Sequence, residues 1–246
     1  WAQTEDDARR LRALGAPVTA VLGNLKFDVQ VDESQQRAGQ AARRPLARPV
    51  VALASSREGE EPALLQALSH SPDALARACW LIVPRHPQRF DEVAELIQSA
   101  GFQAVRRSQF GSLAQATAQF AASEGPTVLL GDSLGEMGAY SALAHCTLMG
   151  GSFEPLGGQN LIEPLAYGSP VVVGPHTFNF AQATEEALQA GVATRVSDWT
   201  DGVQAALTWT QQMTQAPDTS QRCRDFVRQH AGAVSKSLDR LSPWLS

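Results

Sequence analysis

Arg85 and His86 stand between two prolines, Pro84 and Pro87, directly after the apolar run Trp80–Val83. The prolines stiffen the turn and aim both side chains outward. A planar guanidinium held at such an edge suits a phosphate or carboxylate bidentately; the competing role for Arg85 is an ordinary ion pair with a surface carboxylate. A second group of candidates lies at two helix starts, Gly135-Glu136-Met137 and Asn160-Leu161-Ile162-Glu163. Carboxylates there are natural acceptors for ribose hydroxyls, as in dinucleotide-binding folds. Ser133 with Glu136, and Asn160 with Glu163, also fit the capping-box pattern, which does not exclude contact with a sugar. His86 and His176 each follow a strand and read as hydrogen-bonded structural residues sooner than as catalytic bases. No spacing of His, Asp or Glu points to a metal site.

These residues need a frame that brings them to one edge. Short apolar runs recur along the chain at Val50–Ala54, Trp80–Val83, Gln103–Val105, Thr127–Leu130, Thr147–Met149, Val171–Val173 and Val192–Val196. Amphipathic segments such as Phe90–Ala100 and Ala181–Ala190 lie between most of them. Apolar strands without alternation, separated by helices, indicate a parallel sheet covered on both faces, so the fold class is α/β, a Rossmann-like doubly wound sheet. Ligands of such sheets bind outside the carboxyl ends of the strands. The loops that follow the runs are polar and glycine-rich: Ser55-Ser56-Arg57-Glu58-Gly59, Pro84-Arg85-His86-Pro87, Gly131-Asp132-Ser133-Leu134-Gly135, the stretch from Gly150 to Phe180, and Gly174-Pro175-His176-Thr177. In the 150–180 stretch a glycine-rich turn leads from a strand into a helix, which lets a ligand approach bare backbone. The pattern therefore predicts a nucleotide or nucleotide-sugar site. It lacks both the G-x-G-x-x-G of dehydrogenases and the Walker phosphate loop.

Before the sheet, Thr4 is a plausible cap for a helix Glu5–Leu14 that stops at Gly15, and Pro17–Leu22 reads as a strand. Residues 29–48 read as a polar linker with room for a short helix, the sheet domain as 49–219, and the end of the chain as one amphipathic helix, about Ser220–Leu241, with Phe226, His230, Val234, Leu238 and Leu241 at helical spacing. The chain of 246 residues carries a net charge of −5, which argues against a broad nucleic-acid surface. Cys79 and Cys146 lie within apolar runs and read as buried thiols; three cysteines far apart suit neither disulfides nor zinc. No apolar run approaches the roughly 18 residues of a membrane span. Beginning at Trp1 with a helix and a strand, the chain reads as the later part of a longer protein.

The motifs GNLKFD (23–28), ASSREGEE (54–61), PRHPQRF (84–90), GDSLGEMGAY (131–140) and GGSFEPLGGQNLIEP through GPHTFNF (150–180) resemble, in this order, those of bacterial 3-deoxy-D-manno-oct-2-ulosonic acid (Kdo) transferases of lipopolysaccharide synthesis. The resemblance implies the C-terminal, donor-binding domain of a GT-B glycosyltransferase, with residues 1–28 as a remnant of the N-terminal domain and the final helix packing toward it. It implies CMP-Kdo as donor, with no cofactor and no metal. It implies the lipid A precursor (lipid IVA) as acceptor at the cytoplasmic face of the inner membrane, reached through the N-terminal domain. CMP contacts would come from Arg85, His86, Gly135, Glu136, Met137, Asn160, Leu161, Ile162 and Glu163. Of these, Glu163 would take the ribose hydroxyls and Arg85 the phosphate or Kdo carboxylate. Ser55, Ser56, Gly157, Gly158 and Gln159 would reach the sugar or phosphate, the last through amides around Gly157–Gly158. No catalytic base is implied within this chain. Arg57 and Gln159 stand where many relatives have His, and Gln159 cannot titrate. Two other readings stay open: a stand-alone nucleotide-binding module, and another GT-B enzyme such as a nucleotide-sugar epimerase.

Overall fold

The seven apolar runs become seven strands of one wholly parallel sheet in the computed structural model, which describes residues 1–216 and 218–245. They are β1 (Val50–Ser56), β2 (Cys79–Pro84), β3 (Gln103–Arg106), β4 (Thr127–Leu130), β5 (Cys146–Met149), β6 (Val171–Val173) and β7 (Ala193–Arg195), in the spatial order β3-β4-β2-β1-β5-β6-β7. The helices are α1 (Glu5–Ala13), α2 (Glu33–Ala42), α3 (Glu60–Ser69), α4 (Pro72–Arg77), α5 (Phe90–Ser99), α6 (Leu113–Ala122), α7 (Met137–Leu143), α8 (Ile162–Ala166), α9 (Ala181–Gln189), α10 (Trp199–Gln215), α11 (Asp218–His230) and α12 (Ala233–Leu245).

The period-2 geometry of a strand explains why the runs are apolar throughout. In β1, Val51 and Leu53 pack with Leu64 and Leu68 of α3, Val93 and Ile97 of α5, and Val203 and Leu207 of α10. Val50 and Ala52 face the other way, toward Ala116 and Phe120 of α6 and Tyr140 and Leu143 of α7. Farther along that second face, Met149, Val171 and Val173 meet Ile162 and Leu165 of α8 and Phe226 and Val227 of α11. Both faces are therefore dry, as a parallel sheet requires. All three cysteines are buried free thiols.

Three elements differ from the sequence reading. Pro17–Leu22 forms no strand; a single parallel bridge joins Val21 to Ala2, because no strand of the described residues lies alongside to continue the ladder. The stretch 29–48 is more than a tether. Its helix α2 lies so close to α7 that a Cβ on Gly39 would stand 2.7 Å from the Cβ of Ala142 and 2.8 Å from the amide nitrogen of Leu143. Gln35 Oε1 also accepts the Ala139 N–H at 3.1 Å. Finally, the single C-terminal helix is two helices. Gly232, at φ +106°, breaks it, and the carboxylate of Asp28 accepts the N–H groups of Gly232 and Val234 (2.5 and 2.8 Å), capping α12 from across the chain. Phe226 and His230 of α11 pack on Phe27, whereas Val234, Leu238 and Leu241 of α12 are exposed. The cap predicted at Thr4 forms, its hydroxyl accepting the Asp7 N–H at 3.0 Å.

Candidate functional site

Strand order reverses between β1 and β5: the chain leaves β1 toward β2 on one side and runs from β5 to β6 and β7 on the other. The carboxyl ends of β1 and β5 thus bound the crevice where open α/β sheets hold ligands. Its floor is tight. Gly150 donates its N–H to Ala54 O at 2.9 Å, and a Cβ at this position would stand 2.5 Å from the carbonyl carbon of Ser55 and closer still to its oxygen. Ser55 takes φ +56°, the one non-glycine residue with positive φ among those described, and it marks a register shift in β1 after which Ser56 still pairs with Pro84 of β2.

Two fully buried carboxylates in the first turn of α3 fasten this floor. Glu60 accepts N–H groups from Arg57 (2.9 Å), Gly151 (2.7 Å) and Phe153 (3.2 Å), joining the loop after β1 to the loop after β5. Burial raises its carboxyl above the ordinary range, partly offset by those three bonds. Glu61 receives Arg89 bidentately (2.7 and 3.2 Å) and the Ser56 hydroxyl (2.7 Å), which ties the loop after β2 to the same helix. Sequence reasoning assigned no role to Glu60, Glu61 or Arg89. Twin acidic residues directly after a strand turn were the one visible signal, and the partners of Glu60 in the β5 loop are 91 and 93 residues away.

Arg85 lies exposed at the tip of the turn after β2, with its N–H on Ser56 O at 3.0 Å, and no carboxylate of the described residues pairs with its guanidinium. His86 is half-buried beside it. The 135–137 and 160–163 segments lead into α7 and α8, which pack closely: a Cβ on Gly138 in α7 would collide with the hydroxyl of Tyr167, the residue that ends α8. The two acidic candidates nevertheless differ. Glu136 is already engaged, accepting from Arg107 at 2.8 Å and from the Ser133 hydroxyl. Glu163, half-buried, has neither a hydrogen bond nor an ion pair to its carboxylate among the described residues, and burial raises its carboxyl. Asp132, next along the β4 loop, is locked by Arg106 (2.6 Å) and Ser108 (2.6 and 2.8 Å), so it stiffens the loop and is not open to a ligand.

Several sequence expectations need correction. Neither capping box forms: the Ser133 hydroxyl turns to the Glu136 side chain, and Asn160 Oδ1 accepts the Ile162 N–H at 3.2 Å while Glu163 makes no return bond. Ser56 is fully buried with its hydroxyl committed to Glu61, so it cannot meet a sugar. Of the amides around Gly157–Gly158, that of Gly158 is spent on the carbonyl of Gly151 (2.6 Å), as that of Gln159 is on Gly150 (3.0 Å), whereas the Gly157 N–H has no partner among the described residues. Gly157 and Gly158 instead take φ +86° and +77° to fold the loop back on itself. Leu161 and Ile162 are buried in the core and can offer only main chain. Ser55, Arg85, His86, Gly135, Met137, Gln159, Asn160 and Glu163 stand at the strand-end edge with at least part of their surface open. The 23–28 motif reaches the same side of the molecule, where Lys26 Nζ sits 4.0 Å over the ring of Phe180 in a cleft of about 570 Å³.

No family model matches the chain. Among curated proteins it is 46% identical to a 3-deoxy-D-manno-octulosonic acid transferase of Bordetella pertussis, over 99% of this chain and 56% of that protein. It is 29% identical to the protein of the same name from Haemophilus influenzae, again over 99% and 56%. The chain thus spans a little over half the length of the curated relatives it matches. Among solved structures, the C-terminal CMP-Kdo binding domain of WaaA from Acinetobacter baumannii superposes with a TM-score of 0.68 at 29% identity, covering 80% of this chain and 99% of that one. Anabaena Alr3699/HepE in complex with UDP shares the fold alone, at a TM-score of 0.58 and 13% identity. The seven-stranded parallel sheet is that of a GT-B C-terminal domain, and the chain belongs to the 3-deoxy-D-manno-octulosonic acid transferase family.

Proposed function

We propose that this chain holds the donor, CMP-Kdo, for transfer of Kdo to the lipid A precursor in lipopolysaccharide core synthesis. The observation that carries this reading is Glu163. A half-buried carboxylate with no partner among the described residues, at the carboxyl edge of a doubly wound sheet, is short of hydrogen-bond donors. Vicinal ribose hydroxyls supply two. The matched Acinetobacter domain, a CMP-Kdo binding domain, supports cytidine monophosphate as the nucleotide. Arg85, with no carboxylate paired to it, then faces the phosphate or the Kdo carboxylate, with His86 beside it; Gly135, Met137 and the main chain of 160–162 line the nucleotide.

Transfer in this scheme is a direct displacement with inversion. The acceptor hydroxyl oxygen bonds to the anomeric carbon of Kdo as the bond from that carbon to the phosphate oxygen breaks, and CMP leaves with the electron pair. The groups assigned here act on the leaving side by stabilising the departing phosphate. The carboxylate that takes the acceptor proton belongs, in this reading, to the remainder of the protein, as do the contacts with lipid and with the cytoplasmic face of the inner membrane. No helix of the described residues is long and apolar enough to cross a membrane. Titration of CMP and of UDP into the chain by calorimetry tests the proposal. Weak, saturable CMP binding with a clear preference over UDP, and no sugar transfer by the chain alone, is the expected result. A preference for UDP would favour another GT-B enzyme.

A further inference from the structure

We propose that Glu60 is a positioning residue for the nucleotide site, the charged strut that fixes the gap between the turn after β1 and the loop after β5. The inference rests on the donor-binding reading above, which assigns Glu60 no part. Three backbone donors converge on this one side chain: Arg57 locally, and Gly151 and Phe153 from the far wall of the crevice. An ionised carboxylate can accept all three because it is acceptor-only; an amide of the same shape brings a donor where a donor already stands. The far wall has its own outer anchor, the ring of Phe153 stacked on Trp199 at 3.9 Å. Glu60 is the matching inner tie, and it acts on the loop that runs on to Glu163.

The strut depends on charge. Burial pushes the Glu60 carboxyl up, the three N–H bonds pull it down, and the neighbouring Glu61 pushes it up again. The other charged groups around it are Arg57 and Glu58 in the same turn, Arg89 across Glu61, and Glu154, whose carboxylate from the opposite loop would stand 3.7 Å from a Cβ on Gly59. Protonation of Glu60 converts one acceptor oxygen into a donor and releases one wall of the crevice. CMP affinity should then weaken as the pH falls into the raised range of the Glu60 carboxyl.

Glu60→Gln is the direct test. Amide exchange followed by NMR should show at least a tenfold loss of protection at Gly151 and Phe153, with Leu53 and Leu148 in the strands unchanged. Calorimetry should show CMP binding weakened at least tenfold, with the acid-dependent loss of affinity reduced to the share carried by Glu163, whose carboxyl is also raised by burial. A lower melting temperature with unchanged exchange at Gly151 and Phe153 and unchanged CMP affinity would reduce Glu60 to a structural residue and overturn the proposal. If Glu60→Gln does not fold, Glu60→Asp replaces it: one methylene short but still charged, it should lose part of the protection and keep the pH dependence, and full protection at Gly151 would again refute the strut. If the unaltered chain binds no CMP, the donor-binding reading fails by itself, and the exchange data alone decide whether Glu60 joins the two loops.

Discussion

Arg89→Met removes the cation from the pair that fastens the β2 loop. Glu61 has no exposed surface and the Arg89 side chain only 8%, so the two hydrogen bonds between them, at 2.7 and 3.2 Å, lie out of water. Arg89 also reaches Glu92 at 2.9 Å, but that carboxylate is 55% exposed and its loss should cost little. Without Arg89, Glu61 keeps only the Ser56 hydroxyl. Breaking a buried pair from one side costs about 3–5 kcal/mol, because the surviving charge is left without compensation. That is a large share of the roughly 5–15 kcal/mol available to a folded domain. Urea denaturation followed by the fluorescence of buried Trp80 and Trp209 measures it. Glu61→Leu combined with Arg89→Met should cost less than the two single changes together, by about 1–3 kcal/mol of coupling. An Arg89→Met cost below about 1 kcal/mol, or strict additivity in the cycle, would refute the reasoning. Because Arg85 lies four residues before Arg89 in the loop that this pair fastens, the single variant should also weaken CMP binding.

Two further outcomes follow from the packing. Gly150→Ala puts a Cβ 2.5 Å from the carbonyl carbon of Ser55 and 2.8 Å from Ala54 O, where contacts under 3.0 Å are essentially never found, so β1 and the β5 loop must part by at least ~0.5 Å. Destabilisation of about 1–3 kcal/mol in the same denaturation assay, with loss of CMP binding, is expected. His145 is an acid-sensitive group: burial and the nearby Arg43 lower its pKa to about 3, and its Nδ1 accepts the Val50 N–H at 3.1 Å. The unfolded chain takes up this proton below about 6.5 and the folded chain only near 3, so the contribution of His145 to stability is complete above 6.5 and falls by about 1.4 kcal/mol for each pH unit of acidification through that window. His145→Asn, whose side-chain oxygen can accept the same N–H, should flatten that slope; an unchanged slope would move the effect elsewhere.

The sheet was legible because its central runs are apolar on both faces, as a parallel sheet buried on both sides requires, while the edge strands β3 and β7 carry the exposed Gln103 and Arg195. The edge that carries the site was legible for the same reason: once strands and helices alternate, the polar loops after the strands must gather at the carboxyl ends. What the sequence concealed was long-range commitment. Ser133 and Glu136 have the spacing of a cap, yet Arg107, from the loop after β3, takes the Glu136 carboxylate. Ser56 looks like a site serine, yet Glu61 takes its hydroxyl inside the protein. Apolar spacing runs without interruption through Phe226, His230, Val234 and Leu238, yet Gly232 bends the chain where Asp28, more than 200 residues earlier, caps the next helix. Glu163 stays a candidate in sequence and structure alike because none of the described residues claims its carboxylate.

The central claim is that Glu163 binds the ribose of CMP at the carboxyl edge of this sheet, and calorimetric titration of CMP into the chain and into Glu163→Ala tests it most directly. Hydrogen bonds to a charged acceptor contribute about 1.5–3 kcal/mol, so the variant should bind CMP roughly 10- to 150-fold more weakly while its denaturation midpoint stays close to that of the unaltered chain. Equal affinity in the two proteins, or no binding of CMP by the folded chain, would contradict the account.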